Sequence, residues 1–118
     1  MTRTMLKSKI HRAKITGTDL LYCGSITLDP AMIEAADLLP FEQVHVFNIA
    51  NGARLVTYVI EGETTGSGEV CLNGAAARLA EPGDEIIILS FIEMSDEEAR
   101  DHKPVILALE GDNCISGK

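Results

Sequence analysis

A serine that follows glycine between β-forming neighbours can turn on its own chain. At Gly24-Ser25, Oγ of Ser25 can add to the Gly24 carbonyl carbon and displace the Ser25 nitrogen, converting the amide to an ester. β-Elimination then releases the upstream chain as a carboxylate. The dehydroalanine left behind hydrolyses, with loss of ammonia, to an N-terminal pyruvoyl ketone. Gly24 would help by removing Cβ crowding and tolerating unusual φ. Gly-Ser is also an ordinary turn dipeptide, so the surrounding residues have to decide.

Three further groups could work beside such a ketone. Arg54, Thr57 and Tyr58 fall on one β-rich segment. The Arg54 fork matches a carboxylate bidentately, and Tyr58 can donate a proton. Strict alternation places Arg54, Val56 and Tyr58 on one face and Thr57 on the other, so a site using both Thr57 and Tyr58 needs a bulge or must reach round the strand edge. Asn73-Gly74-Ala75-Ala76 offers an amide and unencumbered backbone N–H groups for an anion; its plainer reading is a tight turn. Lys9 belongs to a basic arm, Arg3, Lys7, Lys9, Arg12 and Lys14, that precedes the first acidic residue, Asp19. The arm reads either as a guarded sheet edge or as an anion site. His11, His45 and His102 form no Ser-His-Asp or metal-ligand pattern, so hydrolase and metalloenzyme readings lack their marks and no metal is expected.

The elements that position these groups follow from periodicity and turn chemistry. Residues 4–15 read as extended, with Lys7, Lys9 and His11 on one side and Leu6, Ile10 and Arg12 on the other. Residues 20–28 are strand-like but interrupted at Gly24-Ser25. Asp29-Pro30 opens a helix whose apolar spacing runs through Met32, Ile33, Ala36 and Leu39 to Pro40. Residues 43–49 and 54–60 form a hairpin around Asn51-Gly52, expected to be a two-residue turn. A polar loop, 61–69, leads to a short strand at 70–72 and a helical turn at 73–77. Glu81-Pro82-Gly83-Asp84 reads as a type II turn, 85–94 as a buried strand, Ser95 to Glu98 as a capping box and 105–110 as a last strand. Residues 111–118 read as a fraying tail. Many short strands with brief helices predict a mainly β fold, a small barrel.

Composition narrows the function. With 118 residues there is room for a single domain, 1–118. A net charge of −8 is the wrong sign for binding nucleic acid or an anionic membrane, and aromatic residues at 4% with no Trp disfavour base stacking. The longest apolar run, Ile86 to Leu89, cannot span a bilayer. Cys23, Cys71 and Cys114 are odd in number and widely spaced, which suits a reducing, cytoplasmic setting.

Taken in order, Arg3-Thr4-Met5-Leu6, Lys9, His11, Tyr22, Gly24-Ser25, Asn51-Gly52, Arg54, Thr57-Tyr58, Asn73 to Ala77, Gly83-Asp84 and Asp96 to Arg100 resemble the aspartate 1-decarboxylase family, pyruvoyl-dependent enzymes that make β-alanine for pantothenate, and so coenzyme A, biosynthesis. The resemblance implies a six-stranded double-psi β-barrel and a homotetramer with active sites between subunits. It implies cleavage between Gly24 and Ser25 into chains 1–24 and 25–118. Ser25 would become the pyruvoyl group that takes up the amine of L-aspartate as a Schiff base, with no pyridoxal phosphate. Thr57 would orient the cleaving carbonyl and bind substrate, and Tyr58 would be the proton donor. Lys9, Arg54, Asn73, Gly74, Ala75 and Ala76 would bind substrate. A separate maturation factor is left open, and Cys23 reads as a bystander.

Direct loss of CO2 from aspartate leaves an unstabilised carbanion, so an electron sink is required, and a ketone can serve where pyridoxal phosphate commonly does. A pyridoxal-phosphate enzyme using Lys9 lacks a phosphate-cradling Gly-rich loop before a helix. The reading from another class is a non-enzymatic barrel that binds a partner through its basic arm. An intact, uncleaved chain would favour it.

Overall fold

The computed structural model describes residues 1–115. Along the chain run β1 (Thr2–Lys14), β2 (Gly17–Asp19), β3 (Ser25–Leu28), α1 (Pro30–Ala35), β4 (Gln43–Asn48) and β5 (Arg54–Glu61). They are followed by β6 (Val70–Asn73), a 3-10 helix (Gly74–Leu79), β7 (Glu85–Ser95), α2 (Asp96–Arg100), β8 (Val105–Glu110) and β9 (Cys114–Ile115). The fold is mainly β, as expected. Among the described residues the hydrogen-bonded order is β2-β6-β3-β5-β4-β7-β1-β8-β9. It mixes parallel pairs (β1 with β8, β2 with β6, β3 with β5) with antiparallel ones, and it does not close on itself. Nine strands share these pairings among the described residues, the short β2 and β9 standing at the two ends.

Period-2 alternation fills the interior with Ile26, Leu28, Val44, Val46, Val59, Val70, Leu72, Ile86 and Ile88, all at most 1% exposed. Met32 and Ile33 of α1 close one side of this core. No helix among the described residues is long and apolar enough to cross a membrane.

Several boundaries differ from those the sequence suggests. In β1, register shifts between Leu6 and Ser8 and between Ile10 and Ala13 break the alternation. Arg12 takes φ 68° and turns out to solvent, and Ala13 takes its place in the core. Residues 20–24 are not strand but an exposed loop, with Leu21 96% exposed, and β3 starts only at Ser25. The helix opens as expected, with Asp29 capping Ala31 N, but it stops well before Pro40. Asp37 adopts φ 56°, and the Asp37 and Leu38 N–H groups donate to Glu34 O and Ile33 O. That pattern is a Schellman ending.

The β4–β5 hairpin is longer than a two-residue turn. Asn48 N donates to Ala53 O and Gly52 N to Asn48 O, so residues 49–52 form the connection. At the chain's end, Cys114–Ile115 pairs with β8 instead of fraying. The last three residues of the expected tail lie outside the described residues.

Candidate active site

Ser25 opens β3. Ile26 and Leu28 are fully buried, each side chain worth about 1.5–3 kcal/mol, so the strand is anchored immediately after the Gly24–Ser25 bond. Alternation turns Ser25 and Thr27 to the opposite face. There Asn73, the antiparallel partner of Ser25 at the end of β6, donates through Nδ2 to Ser25 Oγ at 3.0 Å and to Thr27 Oγ1 at 2.9 Å. Ser25 Oγ in turn donates its proton to the Cys23 carbonyl at 2.8 Å. Ser25 and Asn73 are buried, whereas Gly24 is exposed. The nucleophile is held and shielded while the bond it would attack lies at the surface.

Gly74 closes the other side of this bond. At φ +67° a Cβ on Gly74 would stand 2.7 Å from Gly24 Cα, 2.8 Å from Gly24 N and 3.0 Å from Tyr22 O, so only glycine permits the approach. The steric expectation for Gly24 is thereby corrected. Gly24 does not have a left-handed φ, and a Cβ there would meet nothing within 4 Å; the glycine demanded by close contact is Gly74. Asn73 precedes the 3-10 helix without capping it, since its amide is turned to β3. Ala75 follows at the surface and Ala76 half-buried.

On the other side of β3 lies β5, in parallel. Ile26 pairs with Val59, so one step back sets Ser25 level with Tyr58, and a second sets Gly24 level with Thr57. Ile26 and Val59 both face the core; Tyr58 therefore shares the face of Ser25, and Thr57 faces inward. The pairing of Thr57 with Val44 and of Tyr58 with Gln43 is regular, without a bulge. A site drawing on both residues has to reach round the start of β3, where residues 20–24 leave the sheet. The Tyr58 ring stacks on Phe41 at 6.3 Å.

Lys9 and Arg54 are not brought to Ser25 within one chain. β1, which carries Lys9, is four strands from β3 in the hydrogen-bonded order. Arg54 lies four residues before Tyr58 on β5, about 13 Å along a strand, with its guanidinium 4.4 Å above the Phe47 ring. Beside Thr27 is a cavity of ≈ 380 Å³ lined by Tyr22 and Ile60 together with Glu61, Glu63 and Glu69, whose charge repels an anionic ligand. The larger cavity, ≈ 500 Å³, lies between α1 and residues 112–115 and contains none of the site residues.

Sequence reasoning passed over three participants: Thr27, the Cys23 carbonyl and Cys71. Cys71 Sγ approaches Asn73 Oδ1 at 3.3 Å. Burial, with the Glu69 and Asp19 carboxylates nearby, pushes its thiol pKa up, so the sulfur keeps its proton and donates. Only the pairing of β3 with β6, which sets Thr27 opposite Cys71, makes these residues neighbours.

Comparison with known proteins decides among the readings this geometry allows. The family model for aspartate decarboxylase matches residues 1–116. The chain belongs to that family. As a family member it is 56% identical over 113 residues to aspartate 1-decarboxylase of Thermoanaerobacter pseudethanolicus, covering 96% of each chain. It is 56% identical over 115 residues to that of Pelotomaculum thermopropionicum, covering 98% of this chain and 86% of the relative. It is 50% identical over 115 residues to that of Staphylococcus aureus, covering 98% and 90%. A rationally designed protein, mkDPBB_sym_86, superimposes with a TM-score of 0.51 at 16% identity, covering 70% of this chain and 94% of its own. That likeness concerns the fold alone and accords with a double-psi β-barrel.

Proposed function

We propose that this protein decarboxylates L-aspartate to β-alanine and CO2 for pantothenate biosynthesis in the cytoplasm, through a pyruvoyl group made from Ser25 by cleavage at Gly24-Ser25. The observation that carries the reading is the clasp on that peptide bond: Ser25 Oγ held between Cys23 O and Asn73 Nδ2, with Gly74 against Gly24. The three free cysteines suit a reducing compartment.

The residues present fit such a group. Asn73 Nδ2 is a buried donor beside Ser25; the ketone oxygen would stand at Cα in place of the Ser25 nitrogen, and Asn73 lies near enough to that carbon to donate to an oxygen formed there. The exposed loop 20–24 is tied back mainly through Tyr22 N to Asp19 O and Leu21 N to Asp19 Oδ1, so cleavage frees a weakly held segment and opens the approach. When formed, the pyruvoyl carbonyl supplies the electron sink that takes up the electrons left as CO2 departs. In cleavage, the Cys23 carbonyl holds the Ser25 hydroxyl proton. Thr57, level with Gly24, steadies the carbonyl under attack. During turnover, Tyr58, level with Ser25 on its face, returns a proton from its phenol to substrate Cα.

A substrate with two carboxylates needs cations, and the glutamates beside Thr27 cannot supply them. Lys9 and Arg54 of a second copy would meet this need, which supports a homotetramer with sites between subunits. Exposed apolar side chains at Leu21, Leu39, Phe41, Val56 and Ile106 offer surface for that association. With the 20–24 segment released by cleavage, Gly74, Ala75 and Ala76, which carry little or no side chain, would leave room for the substrate beside Asn73.

Intact mass spectrometry tests the reading. Fragments 1–24 and 25–118 are expected, the second reducible onto aspartate by borohydride. An unbroken chain that turns over aspartate at full rate overturns it.

A further inference from the structure

Among the described residues Asn73 is the only side chain that donates to Ser25 Oγ, and an amide does so only in one of its two orientations. A flip of half a turn would present Oδ1 to the serine instead. Because the Ser25 proton is already directed to Cys23 O at 2.8 Å, Oγ can only accept here, so Nδ2 must face it. What enforces that orientation lies outside the catalytic pair. Nδ2 has a second hydrogen, which Thr27 Oγ1 receives at 2.9 Å. The carbonyl end meets Cys71 Sγ at 3.3 Å, whereas the sulfur's other acceptor, Leu72 O, is at 4.0 Å. Thr27 and Cys71 are themselves cross-strand partners, so β3 and β6 deliver one acceptor and one donor to opposite ends of the same amide.

We infer that Thr27 and Cys71 form a clamp that fixes the Asn73 amide with Nδ2 toward Ser25, and that they are positioning residues for self-cleavage. The inference rests on the cleavage reading above. An amide in the wrong orientation would set two oxygens against each other beneath the reacting bond, at a cost on the scale of a buried polar group left unpaired.

The test follows the appearance of fragments 1–24 and 25–118 in freshly made full-length chains, with thermal unfolding measured alongside. Cys71→Ala and Thr27→Val are expected to slow cleavage about 10-fold each. Cys71→Ser, which replaces the S–H donor with an O–H donor, and Thr27→Ser, which keeps the acceptor hydroxyl, should stay within about 2-fold of the parent. In an Asn73→Ala background, Cys71→Ala should slow cleavage no further, since the clamp acts only through Asn73. A merely structural role would lower stability in both backgrounds and would not be rescued by serine. Wild-type cleavage by Cys71→Ala, or an equal additional loss in the Asn73→Ala background, overturns the clamp.

A second readout does not need cleavage. In the Ser25→Ala chain, the two Asn73 side-chain amide protons should exchange slowly with solvent by NMR, and Cys71→Ala should release them to faster exchange. If they are released and the parent chain never cleaves, the proposed function fails, and the role in cleavage with it, while the clamp on the Asn73 amide stands. If the parent cleaves but neither clamp residue changes rate or exchange, the clamp fails alone.

Discussion

The two halves of the proposed site are built in opposite ways. Around the Gly24–Ser25 bond every group is local: β3 and β6 pair Ser25 with Asn73, and Gly74 touches Gly24 through a contact only glycine can make. The cations are dispersed, Arg54 lying over Phe47 at the far end of β5 and Lys9 on a strand four places away. On the proposed reading, one chain carries the groups for its own cleavage but not the cations for a dicarboxylate substrate. Self-processing and substrate binding should respond to different mutations, and only the second should depend on assembly.

The largest expected effect breaks both halves together. Ser25→Ala removes the nucleophile and should abolish both fragment formation and β-alanine production, read on a denaturing gel and by amino-acid analysis. Gly74→Ala should strike the local half. A Cβ 2.7 Å from Gly24 Cα in a left-handed backbone adds overpacking of about 1–3 kcal/mol to about 1–2 kcal/mol of φ strain, which should slow cleavage on the order of 100-fold. Cleavage at the parental rate would show that the clasp is dispensable.

The dispersed half should separate cleanly. Tyr58→Phe should cleave normally and lose about 100-fold in kcat, because its phenol serves turnover alone. Arg54→Ala should also cleave normally, with kcat/KM down about 30-fold, mostly through KM. Co-expressing Ser25→Ala with Arg54→Ala sharpens the contrast. If sites are shared between copies, mixed oligomers pair an intact Ser25 with an intact Arg54 and recover activity that neither variant has alone. No recovery would return Arg54 to a role within its own chain.

Local signals in the sequence suffice where chemistry is local. The Asp29-Pro30 helix start, the Ser95–Glu98 capping box and the turn at Pro82-Gly83, with Gly83 at φ +94° and Asp84 N bonded to Glu81 O, all stand as expected. Gly24, Ser25, Asn73 and Gly74 are brought together. What failed depends on partners distant in sequence. Arg12 leaves the core face because β1 must satisfy both β7 and β8. Leu20 and Leu21 look like strand but have no ladder to join. Thr27 and Cys71 carry no motif, and only the β3–β6 register makes them neighbours.

The smallest effect tests how the local half is fastened. Asp29 does more than cap α1: Oδ1 accepts from Ala31 N and Gly66 N and Oδ2 from Gly68 N, each at 2.9 Å. β3 thus ends on a carboxylate that also gathers the loop leading into β6. Burial opposes the charge, but the Gly68, Ala31 and Gly66 N–H groups outweigh it, and the native pKa lies below its usual value. A depressed native pKa means that the charge stabilises the fold fully above the unfolded value of about 3.9. This stabilisation is lost as pH falls from there through the lower native value. Asp29→Asn keeps one acceptor oxygen and loses the charge, so stability near pH 7 should fall by on the order of 2 kcal/mol. Below about pH 4 the unfolding midpoint of the variant should decline less steeply than that of the parent. Parallel acid curves would mean that other carboxylates govern the acid limit and that the Asp29 hub is held by geometry rather than by charge.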